Sequence, residues 1–174
     1  MKSSIINHQS SIPQGFTLIE VLIATVFIGL SIAALVAANG SFSMSNAAGA
    51  DLSTAEFLVE QIRELTAMLP LVEPGLTSWT SLGPGPGETL ATYDDVDDFD
   101  GFNSATLGAP ISAQRTTLPA LKAFRQQVTV RKLNPTNFNQ TWSDTADSNF
   151  ARITVRILHN GGEISSASWI RARY

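Results

Sequence analysis

Three groups of residues in this chain have the types and spacing to do chemistry. The first is one carboxylate, Glu20, set four places into an otherwise uncharged apolar run, FTLIEVLIATVFIGLSIAALVAA, from Phe16 to Ala38. An acid near a bilayer centre costs about 2.5–3.5 kcal/mol on insertion scales, so Glu20 calls for a partner. The second is Asp94-Asp95-Val96-Asp97-Asp98-Phe99-Asp100-Gly101, five carboxylates in seven residues. Oxygen-rich clusters suit Ca²⁺, which tolerates irregular loops, and Asp95, Asp97, Asp98 and Asp100 are the candidate ligands. The spacing is not that of a helix-loop-helix calcium site. Aligning Gly101 with that motif's glycine puts Val96 and Leu107 where ligands belong. The competing reading is a solvated acidic loop, or a partner for the chain's own arginines. The third group is Arg131, Arg152, Arg156, Arg171 and Arg173, with Trp169 beside them. On one face of a sheet they would suit phosphate contact and base stacking. The chain is acidic, with a net charge of −4, and repels DNA everywhere else, so nucleic acid is the weaker reading. Pairing with the Asp94–Asp100 loop, or with the acids at 56–64 of a neighbouring subunit, is the stronger one.

Other chemistry is excluded by composition. The 174 residues contain no cysteine, which removes disulfides, thiolate nucleophiles and cysteine-based metal sites. Of two histidines, His8 lies near the N-terminus, and His159 precedes a Gly-rich turn and reads as solvent-facing. GPGPG places prolines where a phosphate cradle needs free N–H groups. No enzyme emerges, and a structural subunit fits every region better.

The elements that must position these groups follow from periodicity. The run from Phe16 to Ala38 is 23 residues, about 34 Å as a helix and long enough to cross a bilayer. The preceding MKSSIINHQSSIPQG has no acid and one base, Lys2, which places the N-terminus in the cytoplasm and the C-terminal part outside it. From Asp51 to Leu69, Leu52, Ala55, Val59, Ile62 and Leu69, flanked by Leu58 and Leu65, recur at helical spacing opposite Glu56, Glu60, Arg63 and Glu64. The intervening NGSFSMSNAAGADLST has poor helix propensity, with weak points at Asn39-Gly40 and Ala48-Gly49. Pro70 and Pro74-Gly75 end the helix. Residues 70–119 show little periodicity and read as a long excursion. Three alternating strands follow, at Gln126–Leu133, Phe150–Leu158 and Ile164–Tyr174, with Asn160-Gly161-Gly162 as a hairpin turn. Their inward faces should lie against the 52–69 helix. Charge is uneven: residues 51–100 hold eleven acids and one base, whereas 101–174 hold nine bases and three acids. Such polarity can be satisfied within the domain or between stacked subunits.

The segment GFTLIEVLIA, Gly15 to Ala24, resembles the N-terminal signature of type IV pilins and type II secretion pseudopilins. The resemblance implies an α+β pilin fold, in which one long N-terminal helix packs on a small antiparallel sheet. It implies a prepilin peptidase that cuts after Gly15 and methylates Phe16, and it matches Glu20 to the family's assembly carboxylate. After such a cut the Phe16 amine is a cation one helical turn from Glu20, which can pair with it or with a neighbour's amine. Low dielectric strengthens either pairing, although desolvation offsets much of the gain. The competing reading is an ordinary signal anchor with a stray acid. The chain departs from the family in two ways. It lacks the C-terminal disulfide loop that many pilins carry, and it has Ala37 where major pilins often have a proline. TYDDVDDFDG and the C-terminal RITVRILHNGGEISSASWIRARY look like minor pilins of the mannose-sensitive haemagglutinin type of pilus. Expected segments are a leader (1–15), a membrane and assembly helix (16–38), a stalk helix (39–69), a variable loop (70–119) and a sheet (120–174). The implied role is that of a minor pilus subunit in the inner membrane with its C-terminal domain in the periplasm. Its partners would be the peptidase, other pilins, the inner-membrane assembly platform, and lipid before assembly. The alternatives are a minor pseudopilin of a type II secretion system, and a DNA-binding or adhesive pilin.

Overall fold

A computed structural model describes residues 15–76, 79 and 81–173. Residues 1–14 of the expected leader (1–15), including Lys2 and His8, lie outside them, as does Tyr174. The chain divides into two compact units, up to Asn46 and from Ala47 onward.

The first unit is helical from Leu18, where α1 (Leu18–Ala67) begins. Every residue from Gly15 to Ala50 is exposed, including the large apolar ones. The hydroxyls in this segment are absorbed by the helix itself. Thr25 Oγ1 donates to Leu22 O at 2.8 Å and Ser31 Oγ to Phe27 O at 2.8 Å. This keeps polar groups satisfied in a segment that has no water to rely on if it spans a bilayer.

The expected weak points do not break the helix. α1 continues past Gly40 and Gly49 without interruption, and neither glycine takes a positive φ. Each costs about 1 kcal/mol relative to alanine, whereas stopping and restarting would incur the larger cost of a second nucleus. Ser41, Ser53 and Thr54 bond back to Ala37 O, Gly49 O and Ala50 O, so the polar residues here support helical carbonyls rather than compete with them.

In the second unit the end of α1 packs on an antiparallel sheet, the expected α+β arrangement. The sheet has four strands in the order β2-β1-β3-β4: β1 (Phe124–Asn134), β2 (Asn137–Thr141), β3 (Phe150–His159) and β4 (Gly162–Ala172). Ala55, Leu58, Val59, Ile62 and Leu65 of α1 meet Val128, Val130, Ile153, Val155 and Ile157 in one core. Each fully buried aliphatic side chain contributes about 1.5–3 kcal/mol. Leu52, placed on the apolar face by periodicity, is instead exposed. The helix ends as the prolines require, and Arg171 closes it. Its Nη1 donates to Thr66 O at 2.5 Å and its Nη2 to Leu69 O at 3.0 Å, a cation on the last carbonyls. The β3–β4 hairpin turns at Asn160 (φ 51°) and Gly161 (φ 87°), the paired positive φ values of a type I′ turn.

Two expectations change. β2 was not among the three expected strands: its sequence, NFNQT, is exposed throughout and carries no alternation for a core to impose. The 70–119 segment is no peripheral excursion. Leu71, Val72, Trp79, Val96, Phe99 and Ile111 are all core residues, contributed singly from an irregular path. Periodicity cannot register such isolated insertions. Part of this segment also finishes the sheet. Gly101 N–H reaches Val128 O at 3.2 Å and Val128 N–H reaches Phe102 O at 2.9 Å, covering the edge of β1 that β2 leaves open.

Candidate functional site

Two constellations emerge, one in each unit. At the N-terminus, Thr17 precedes the first helical residue and Glu20 stands three places on. Glu20 Oε2 accepts from Thr17 N at 2.8 Å and Thr17 Oγ1 at 2.9 Å, while Thr17 Oγ1 accepts from Glu20 N at 3.3 Å. This is a capping box, with the carboxylate at the positive end of the helix dipole. Glu20 therefore has a local partner that the search for a cation did not anticipate, although Thr-x-x-Glu is legible in the sequence. Phe16 is 88% exposed. A Cβ on Gly15 would meet no atom of the described residues within 4 Å. Among the described residues, α1 is the one helix long and apolar enough to cross a membrane, and it lies near the N-terminus, consistent with a single-pass anchor.

In the second unit a cavity of about 190 Å³ is lined by Glu73, Asp95, Asp97 and Asp98, with Trp79 and Gly83 on its walls. The aspartates are held by a short 3-10 turn, Asp97–Phe99. Phe99 anchors that turn in the core, edge-on to Tyr93 at 5.2 Å between centroids. Val96 N–H donates to Pro70 O at 3.0 Å and Gly83 N–H to Asp97 O at 3.1 Å, tying the turn to both neighbouring stretches. Within it, Asp98 Oδ2 accepts from Asp94 N at 2.9 Å, and Asp95 Oδ1 accepts from Asp98 N at 3.1 Å. Glu88 Oε2 accepts from Gly85 N at 2.6 Å.

Removing carboxylates from water beside one another favours their neutral forms. Burial, and then the adjacent Asp95 carboxyl, push Asp97 up to about 9. Burial and Asp95 likewise push Asp98 up to about 7. Glu73 is raised by desolvation and by Asp94, Glu88 and Asp95. Oxygens of Glu73, Asp94 and Asp95 lie within 4.8 Å of one another, as do those of Glu88, Asp94 and Asp98.

The sequence-derived ligand set is only partly assembled. Asp95, Asp97 and Asp98 share the cavity, but Asp100 does not. Its Oδ1 accepts from Val130 N at 2.8 Å and from Arg131 Nη1 at 2.9 Å, completing the edge of β1. Glu73 and Glu88, which stand well before the Asp run, were missed because only folding brings them to it.

The five arginines do not form one face. Strand register pairs Arg131 with Arg152, but sets Trp169 opposite Ile153 and Arg171 opposite Ala151, both on the core side. Trp169 lies under Arg63, 4.9 Å from guanidinium carbon to ring centre. Arg173 pairs with Asp147 at 3.4 Å, and Arg156 is paired with Glu163. Arg152 Nη2 donates to Phe138 O at 2.6 Å. Trp169 and Arg171 share the face of β4 that meets the core, so Arg171 lies on the opposite side of the sheet from Arg131 and Arg152. His159 is not solvent-facing either. It stacks on Phe124 at 4.4 Å, and its Nδ1 lies 3.1 Å from Asp51 Oδ2 on α1.

Comparison with protein-family models, with curated proteins and with solved structures returned no match.

Proposed function

We propose that this chain is a type IV pilin-like subunit, and within that superfamily a minor pilin. It is cut between Gly15 and Phe16, held in the inner membrane by the N-terminal half of α1 with the C-terminal domain in the periplasm, and assembled through that helix. The observation that carries the reading is the combination at the N-terminus. An apolar helix buries nothing in its own unit, and a carboxylate stands at its first turn. Such a surface requires lipid before assembly and neighbouring helices afterwards, since apolar area of this extent is not left in water. The helix is continuous with one that anchors a small sheet domain, which suits a subunit presenting that domain on a fibre.

Glu20 then has two roles in sequence. Before assembly the capping box keeps its charge satisfied, and in the fibre the carboxylate is exchanged toward the Phe16 amine of a neighbour, setting axial register. Glu20→Ala should leave cleavage intact and reduce entry of the subunit into sheared fibres, read by immunoblot of fibre and membrane fractions. Normal incorporation of Glu20→Ala would refute the register role. Glu20→Gln separates the two functions, because it retains much of the cap but carries no charge.

A further inference from the structure

We propose that the second unit docks a second copy of this chain, the outward face of one copy's sheet lying against the outward face of the next copy's α1. Val128, Val130, Ile153 and Val155 face the core, so the residues between them point away from it. Strand register places Thr129, Thr154 and Ser168 in one row on that side, and Arg131, Arg152 and Ile170 in the next. None of these residues is buried. Arg125 and Arg156 alternate onto the same side, which makes four arginines. Asp100 pairs with Arg131 and Glu163 with Arg156, whereas among the described residues Arg125 and Arg152 form no ion pair. Beside Arg152 stand two apolar side chains, Phe138 and Ile170, 41% and 42% exposed.

The outward face of α1 is the counterpart. Ala55, Leu58, Val59, Ile62 and Leu65 meet the core, so the helical period turns Phe57, Glu60 and Glu64 away from it, with Glu56 on the flank. Glu60 pairs with Arg63 at 3.1 Å, whereas among the described residues Glu56 and Glu64 form no ion pair. Phe57 is 48% exposed. Two uncompensated cations beside exposed apolar side chains thus stand on one layer, and two uncompensated anions beside an exposed phenyl ring on the other. Either face meeting its own kind brings like charges together, and each fits its opposite. A contact between unlike faces is heterologous and leaves one face of each kind free, so further copies can add. A nucleic acid on the sheet face would leave the helix face unmatched. The inference rests on the reading of the chain as a repeating subunit, and adds a contact surface outside the N-terminal half of α1.

The test uses the full, uncut chain in membranes and a flexible bismaleimide as cross-linker. The chain has no cysteine, so single introduced cysteines report contacts without background. Ser53→Cys marks the helix face and Ser168→Cys the sheet face, both at exposed positions. Co-expression of the two should give a mixed dimer at least fivefold above the like-with-like product of either alone, and high salt should reduce it. Glu60→Arg with Glu64→Arg in the Ser53→Cys copy should lower the yield at least fivefold. Adding Arg125→Glu with Arg152→Glu to the Ser168→Cys copy should restore it, an outcome that misfolding cannot produce. No excess of mixed product would overturn the proposal, as would a yield indifferent to both charge reversals. Capture of a different protein by the helix-face cysteine, without the mixed dimer, would overturn a second copy as the occupant. Cleavage at Gly15 and fibre entry are read separately, so loss of this contact with both intact would strike the inference and leave the subunit reading standing.

Discussion

Lys132 is fully buried on the core-facing side of β1, and its replacement by methionine tests how the loops around the carboxylate cavity are held. Its Nζ donates to Trp79 O at 2.5 Å, Asp144 O at 2.6 Å and Ala146 O at 3.3 Å, and stands 4.9 Å from the centre of the Trp79 ring. Hydrogen bonds from a charged donor are worth about 1.5–3 kcal/mol each, but dehydrating the ammonium offsets several kcal/mol of that sum. Methionine keeps the apolar stem and removes the charge, so the net change is set by the carbonyls left behind. Asp144 is exposed and Ala146 half-buried, so their carbonyls can take water. Trp79 is 3% exposed, and an orphaned carbonyl there costs about 1–3 kcal/mol. Adding the lost cation–π contact and the freer loops, Lys132→Met should destabilise the domain by about 2–4 kcal/mol. Urea unfolding in mild detergent, followed by circular dichroism, reads that change, and tryptophan emission should shift red even before unfolding. A loss below about 0.5 kcal/mol with unchanged emission would refute the reasoning, because the loops would then be held by something other than this ammonium.

Two further predictions concern stability. Ile153→Ala removes a fully buried side chain from the centre of β3 and should cost about 2–5 kcal/mol by the same unfolding assay, with the N-terminal helix content unaffected. For Asp97, the folded-state value near 9 lies above the ordinary 3.8, so its contribution is fully present at low pH and is lost as pH rises toward 9. In EDTA the wild-type chain should therefore lose stability relative to Asp97→Asn across that interval, measured as Tm against pH. A gap that is flat with pH would contradict the burial argument.

How much of this could be read from the chain alone depended on whether the determining interactions were local. Helical spacing from Ala55 to Leu65 and alternation from Ile153 to Ile157 fixed the α+β arrangement, because burial against one partner face imposes those periods. Asn160-Gly161 was legible for the same local reason. β2 escaped because its exposed NFNQT carries no such imprint. The 70–119 segment was misjudged because Trp79, Val96, Phe99 and Ile111 enter the core one at a time, with nothing periodic between them. At the carboxylate cavity the Asp run was visible, but its composition was not. Asp100 is committed to Val130 N–H and Arg131, and Glu73 and Glu88 join only through the fold. The five arginines do not share one face, since Arg171 reaches the carbonyls of Thr66 and Leu69 on the core side of the sheet.

The central claim is that the chain is cut at Gly15 and enters a fibre through the helix that begins at Phe16. Mass spectrometry of the N-terminal peptide, from sheared surface fibres and from membranes of the same cells, tests it most directly. An N-methylated Phe16 terminus in the fibre fraction is the expected result. The same modified peptide confined to membranes would contradict a fibre subunit and favour a priming or secretion pseudopilus role. An uncut chain in cells with an active prepilin peptidase would contradict the account altogether.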